Sequence, residues 1–278
     1  MTKSLTCLIV ASILVHASIL PASEPAQVVC ETQFGRVTET ALDKSTIVGT
    51  HDSPYTSNFL AALMRDSTLL LVDSPNDTLS TALWLDWLID KFHPLRFAAI
   101  NTHFHNDRTG GNEVYLERGI PVYGSDLCAE LLESRIDPMR VLLLDYVGGD
   151  SLWSEYFQNL ELAAPDSLFP LKQGLSLQFD DEEVRTIFPG AGHSPDNVVV
   201  WLPERNVLFG GCLILAGKRV GNKSDAVMRD WPNSVRSLLP LAPQIVIPGH
   251  GKIGDLSLLE HTLDVLQEDS LQNLHKQP

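Results

Sequence analysis

Basic side chains are scarce in this chain of 278 residues: 20 Lys and Arg stand against 35 Asp and Glu, a formal net charge of −15. That sign repels polyphosphate backbones and excludes nucleic acid as the main partner, so a small or neutral ligand fits better. Cysteine is also sparse, and four in the whole chain are too few for a disulfide scaffold. After Leu20 no apolar run approaches the ~20 residues needed to cross a bilayer, and there is neither a low-complexity tract nor a short internal repeat. What the chain does have is 44% hydrophobic residues, ample for a packed core.

The first residues read as an address. Lys3 gives a positive start, Leu5 to Leu20 form an apolar stretch broken only by small polar residues and His16, and Pro21 to Ala26 offer a small-residue cleavage region. The expectation is a signal peptide over 1–25, a mature chain starting near Ser23 to Gln27, a periplasmic location and no stable membrane insertion after cleavage. A membrane anchor is the alternative, but the stretch is short for one. With Cys7 removed, Cys30, Cys128 and Cys212 remain, an odd number that leaves at least one thiol for another task. A Cys30–Cys128 bridge stays open, and both residues are expected in packing roles. A monomer is the default.

After residue 25 the chain is long enough for one large domain or two ordinary ones. Asn58 to Met64 and Ser67 to Asp73 are β-rich runs separated by Arg65-Asp66, the pattern of a hairpin. Asn76 or Asp77 can cap a following helix, in which Leu79, Leu83, Trp87 and Leu88 recur at helical spacing until Pro94 forbids continuation. Arg96 to Ile100 is a short buried strand. A helix is predicted near Asn112 to Arg118, a strand at Ile120 to Tyr123 and a helix from Ser125 to about Arg135. Between Ile136 and Lys172 no clean period emerges, and a partly helical insertion at 136–172 is expected. Further strands are predicted at Leu175 to Phe179, Val184 to Phe188, Asn197 to Leu202, Val207 to Gly210 and Gln244 to Ile247, with helices near Trp231 to Leu239 and Leu256 to Gln272. Strands and helices interspersed through both halves suit layered sheets covered by helices.

The strongest local signal is His103-Phe104-His105-Asn106-Asp107, at the end of a buried strand. Alternate residues of an extended segment point the same way, so two imidazoles and a carboxylate can converge from one loop. Taken alone, a His-x-His pattern is more often ordinary surface or core histidine. Three later positions share its context: His193 follows Gly190-Ala191-Gly192, Cys212 follows Gly210-Gly211, and His250 follows Pro248-Gly249, each just after a predicted strand. Glycine lets backbone pass close to a crowded centre, and rigid strands hold ligands better than flexible loops.

These segments resemble the successive motifs of a metallo-β-lactamase: His103-x-His105-x-Asp107, Gly192-His193-Ser194-Pro195-Asp196-Asn197, Gly210-Gly211-Cys212-Leu213-Ile214 and Pro248-Gly249-His250-Gly251. The similarity covers about Asn58 to His261 and is weakest in 136–172. Arg108 stands where other members of the superfamily carry a metal-binding histidine, and Cys212 where they place a bridging aspartate. Both choices resemble the first subclass of class B β-lactamases. The resemblance implies an α/β fold, the four-layer αββα sandwich, with residues 26–278 forming a single catalytic domain. It also implies two zinc ions, one on His103, His105 and His193 and one on Asp107, Cys212 and His250. It further implies hydrolysis of β-lactam antibiotics by a zinc-bound hydroxide, which two ions roughly 3.5–4 Å apart keep deprotonated near neutral pH. Asp107 would orient that nucleophile, and Asn222 would donate to the developing oxyanion, although Asn222 is equally a turn residue.

Two departures concern the substrate. Relatives commonly carry a lysine three residues after the ligand cysteine, where this chain has Leu215; Lys218 or Arg219 could replace it as carboxylate anchor, or form a plain solvated pair. The loop between Gly49 and Ser57, containing His51, Pro54 and Tyr55, is shorter than the hydrophobic flap of resembling enzymes. Alternatives are dizinc hydrolysis of another ester, thioester or lactone, and a zinc-binding protein without catalysis. His51, His93, His261 and His275 are assigned to surface or packing roles.

Overall fold

A computed structural model describes residues 26–274. Residues 1–25, where a signal peptide is expected, with Cys7, and His275 lie outside the described residues. Five strands, β1 (Gln27–Thr32), β2 (Gly35–Ala41), β3 (Thr46–His51), β4 (Ser57–Leu63) and β5 (Thr68–Val72), form an antiparallel meander. From β5 the topology changes. The helix α1 (Thr78–Phe92) carries the chain back to β6 (Arg96–Ile100), which joins the same sheet parallel to β5, as a parallel pair requires a long crossover. Two short helices, α2 (Asn106–Thr109) and α3 (Asn112–Glu117), lead to β7 (Val122–Ser125). Two more, α4 (Asp126–Val147) and α5 (Ser151–Gln158), lead to β8 (Ser167–Phe169), which completes an eight-stranded sheet in sequence order.

The second sheet has five strands. β9 (Leu175–Phe179), β10 (Glu182–Ile187), β11 (Val199–Leu202) and β12 (Val207–Gly211) are antiparallel neighbours. After α6 (Trp231–Arg236), β13 (Ile245–Pro248) pairs parallel with β12, and α7 (Ser257–Leu274) ends the described chain.

Alternation along the strands sets the layers. Leu60, Ala62, Leu70 and Val72 of the first sheet pack against Val200, Leu202, Phe209 and Ile247 of the second. The opposite faces are covered too: Phe59, Leu69 and Leu71 by Trp84 and Leu88 of α1, and Trp201, Leu208 and Val246 by Trp231, Val235 and Leu259. Sheets covered on both faces have strands buried throughout, as Thr68–Val72 is. The result is the expected αββα sandwich. Arg205 ties its two sheets together, donating to Glu182 of β10, to the Thr46 hydroxyl and to the Leu63 carbonyl.

The predicted hairpin is β4–β5. Asp77 is the cap of α1, its side chain accepting from the Ser80 N–H at 2.8 Å. His93 closes the other end in the left-handed region (φ 46°), its N–H donating to the Ile89 carbonyl, with Pro94 next. Four expectations need correction. Strands β1 to β3 were not anticipated. β7 lies two residues later than predicted. The loop proposed from Gly49 to Ser57 spans only 52–56, because Gly49, Thr50 and His51 pair with Phe59, Asn58 and Ser57; a Cβ on Gly49 would meet the Phe59 ring at 2.1 Å, so only glycine lets that pairing close.

The fourth correction concerns α4, which passes Arg135 and Pro138 and ends at Val147. Proline there removes one backbone donor, yet Cys128, Leu132, Met139 and Leu143 still bury a continuous stripe with Phe104 and Trp153. Cys30 and Cys128 are free thiols, the first half-buried on β1 and the second buried in α4. His51 is fully buried; its Nδ1 accepts from the Asn76 N–H and its Nε2 donates to the Phe34 carbonyl. His261 donates to the Gly217 carbonyl at 2.9 Å. Among the described residues, no helix is long and apolar enough to cross a membrane.

Candidate metal centre

The loop after β6 is fixed before any ligand side chain is considered. Asp73, just past β5, accepts from the Thr102 N–H and from its hydroxyl, both at 2.8 Å. The Asn101 amide donates to the Arg108 carbonyl and to Asn112. This bracing turns His103, His105 and Asp107 toward the ends of the second sheet. There, Asn197 staples the loop carrying His193, accepting from the Ser194 N–H and donating to the Gly190 carbonyl. The His250 loop is held by Asn58 of β4, whose amide donates to the Pro248 and Gly251 carbonyls at 2.9 Å each. A Cβ on Gly249 would meet the Cys212 Sγ at 2.8 Å, so glycine is what admits β13 beside that sulfur.

The six predicted donors meet in two triads. His105 Nδ1 lies 3.1 Å from His103 Nε2 and 3.1 Å from His193 Nε2. His250 Nε2 lies 3.2 Å from Asp107 Oδ2 and 3.2 Å from Cys212 Sγ, and that sulfur is 3.4 Å from Asp107 Oδ2. The triads adjoin, for the donor atoms of His103, His193 and Cys212 also fall within 4.8 Å of one another. A tetrahedral cation with zinc–nitrogen bonds of about 2.0–2.1 Å separates its nitrogen ligands by roughly 3.3 Å. The donor spacing fits such an ion.

Electrostatics agree. Burial and the neighbouring His105 and His193 hold His103 well below the ordinary histidine range, and burial with His105 does the same for His193, leaving the neutral imidazoles that cations require. Burial would raise Asp107, but Arg108 beside it, with His250, holds it well below the usual carboxylate range. Burial would lower His250, but Cys212 and Asp107 push it up to about 10. In the second triad the Asp107 carboxylate thus supplies negative charge that a cation can answer.

The second ring nitrogens of His105, His250 and His103 are also occupied. His105 Nε2 donates to Asp225 Oδ2 at 3.1 Å, His250 Nδ1 to the Thr56 carbonyl, and His103 Nδ1 faces the Thr102 hydroxyl at 3.3 Å. Such partners fix ring orientation and tautomer. The hydrogen bond from His105 holds the Asp225 carboxyl below its ordinary range. Arg108 is completely buried, bound to Asp107 at 2.6 Å and to the Asn58 carbonyl at 2.7 Å, with Asp73 at 3.3 Å. Sequence reasoning missed Asp225, Asn58 and Asp73. Of these only Asp73 carried a signal, since it ends a predicted strand as the ligand loop does.

His105, His193, Asp107, Cys212 and His250 form the floor of a cavity of about 520 Å³, with His103 buried behind them. Arg219 and Asn222 line it, and exposed Lys218 does not. The Asn222 Oδ1 accepts from the Ser224 N–H at 3.0 Å, a turn contact that leaves only its amide hydrogens to donate outward. Leu215 lines the cavity with Ile214 and Ala216.

A family model described as the metallo-beta-lactamase superfamily matches residues 98–250. The type 2 metallo-beta-lactamase of Bacillus sp. (strain 170) is 33% identical over 260 residues, covering 90% of each chain. That of Bacillus cereus is 31% identical over 247 residues, covering 86% of each. Among solved structures, the metallo-beta-lactamase from Pontibacter korlensis superposes with a TM-score of 0.69 at 29% identity, over 83% of this chain and 99% of that one. The DIM-1 metallo-beta-lactamase does so with 0.68 at 25% identity, over 86% and 100%.

Proposed function

Because this chain belongs to the metallo-β-lactamase superfamily, we propose that it is a dizinc hydrolase opening the cyclic amide of β-lactam antibiotics. The observation that carries this reading is the pair of adjoining triads on the cavity floor. His103, His105 and His193 hold one zinc, and Asp107, Cys212 and His250 the other. Zinc bound there supplies Lewis-acid polarisation and lowers the pKa of a bound water to about 7. Three protein donors per ion leave a coordination position open, the pattern of catalytic rather than structural sites.

The chain's own residues do the positioning. Asp107, kept anionic by Arg108, accepts a hydrogen bond from the attacking water and so orients it. Asn222 donates its amide hydrogens to the oxygen that gains charge as the ring opens. Arg219, on the cavity lining, pairs with the substrate carboxylate; Lys218 adds positive charge from one residue further out. Asp225 keeps the His105 ring turned toward the first triad. Export through residues 1–25 to the periplasm completes the reading, and the amino-terminal sequence of the secreted protein checks it, with a start near Ser23 to Gln27 expected.

Zinc-loaded protein is assayed with a penicillin, a cephalosporin and a carbapenem, with and without chelator. Chelator-sensitive ring opening is the expected result. Apolar Leu215, where related enzymes place a cation, favours a second reading: hydrolysis of a thioester, ester or lactone. Turnover of those without any lactam turnover selects it. Full zinc occupancy with no turnover of either kind leaves a zinc-binding protein without catalysis.

A further inference from the structure

We infer that α4 is a specificity wall selecting lactams that carry an apolar, aryl-bearing substituent, in the place where the short 52–56 loop cannot fold over the drug; the inference rests on the lactam reading above. Met139, Leu142, Leu143 and Tyr146 follow one another at i, i+3, i+4 and i+7, one stripe of a helix, and all four line the cavity. Their burial is uneven. Met139 and Leu143 are bedded in a cluster with Phe104, which sits between two metal-facing histidines, and with Trp153 of α5. Leu142 and Tyr146, by contrast, keep 38% and 60% of their surface exposed. Apolar side chains held open at a cavity mouth are covered when an apolar ligand enters.

The neighbouring loop is short and held in place, so α4 supplies the apolar lining beside it. Residues 52–56 are tied down: the Trp153 indole donates to the Ser53 hydroxyl at 2.9 Å, and the Asn76 amide donates to the Ser53 and Tyr55 carbonyls. The Tyr146 ring meets Tyr55 edge-on at 5.3 Å, and Tyr55 meets His250 edge-on at 6.0 Å. An aromatic path therefore runs from α4 to a metal-facing imidazole, the arrangement in which a third ring adds well. Ile214 and Leu215 extend the apolar lining. Asp145, next to Tyr146, is the one carboxylate that α4 brings to the cavity, and it disfavours anionic substituents there.

The test compares benzylpenicillin with 6-aminopenicillanic acid, which share the fused ring and its carboxylate and differ by the arylacetyl group. The zinc-loaded wild type is expected to favour benzylpenicillin by about tenfold or more in kcat/KM. Leu142→Ser combined with Tyr146→Ser should raise KM for benzylpenicillin about tenfold. It should leave kcat, zinc content and the KM for 6-aminopenicillanic acid within about twofold, the split of lost uniform binding. Tyr146→Phe, which keeps the ring, should retain the preference. The ring-opened products, titrated into the holoenzyme and followed by tryptophan fluorescence, should give the same contrast without turnover. Equal losses for both penicillins, or a wild type with no preference, overturn the wall while leaving lactam hydrolysis intact. A zinc-loaded wild type that opens neither penicillin overturns the lactam reading and this inference with it.

Discussion

The two triads are supported in different ways. His103 and His193, both held well below the ordinary histidine range by burial, meet His105 in a triad steadied from outside, by Asp225 on one ring and Thr102 on another. Asp107 and His250 bring charge to the second triad, and what surrounds it is a buried guanidinium, Arg108, anchored by Asp107, Asp73 and two backbone carbonyls. A triad of three imidazoles depends on ring orientation, whereas one that contains a carboxylate depends on charge balance. Changes of orientation should therefore be felt at the first, and changes of charge or proton count at the second.

The sharpest way to break this contrast is Cys212→Ser. Loss of the sulfur donor should lower affinity for the second ion more than ~100-fold, beyond the effect of losing a supporting partner, and remove most activity. The zinc-to-protein ratio should fall from two toward one, and full occupancy with full activity would contradict the assignment of donors.

Asp225→Ala strikes the outside support of the first triad. A loss of about 10–100-fold in affinity for the first ion is expected, with the second site little changed. Competition with a chromophoric chelator measures both sites, and equal weakening of the two would erase the distinction.

Acid should separate the triads as well. His103 and His193 titrate well below the ordinary histidine range, so above pH 6.5 the first site has no proton from them to displace. His250 is raised to about 10, so the metal-free second site holds a proton that binding must release. Its affinity should fall about tenfold for each pH unit of acidification between pH 8 and 6. Zinc titrations at three pH values check this, and parallel slopes at the two sites would refute it.

The smallest effects lie at the rim. Arg219→Ala should raise KM for carboxylate-bearing lactams by about fivefold with kcat nearly unchanged, the mark of lost uniform binding. Lys218→Ala, outside the cavity lining, should change KM less than about twofold.

The donors were legible because each lies at the end of a buried strand beside glycine or within an alternating His-x-His-x-Asp segment, where pattern and chemistry coincide. Their supports were not. Asp225 meets His105 across 120 positions, from a surface loop with no period of its own. The strands β1 to β3 escaped notice for a related reason. β2 turns Val37 and Glu39 inward together, the latter paired with Lys91, so its buried side does not read as apolar. The period was lost beyond Arg135 because, in the stripe from Met139 to Tyr146, half of the side chains serve the core and half the cavity.

The Trp153–Ser53 bond fastens the short connection between β3 and β4 to α5. A mouth anchored in advance has little freedom left to lose when a molecule arrives. Discrimination then rests on complementarity that exists beforehand rather than on adaptation after encounter. A stiff inhibitor shaped to this opening should accordingly associate in one kinetic phase, with no slow tightening step.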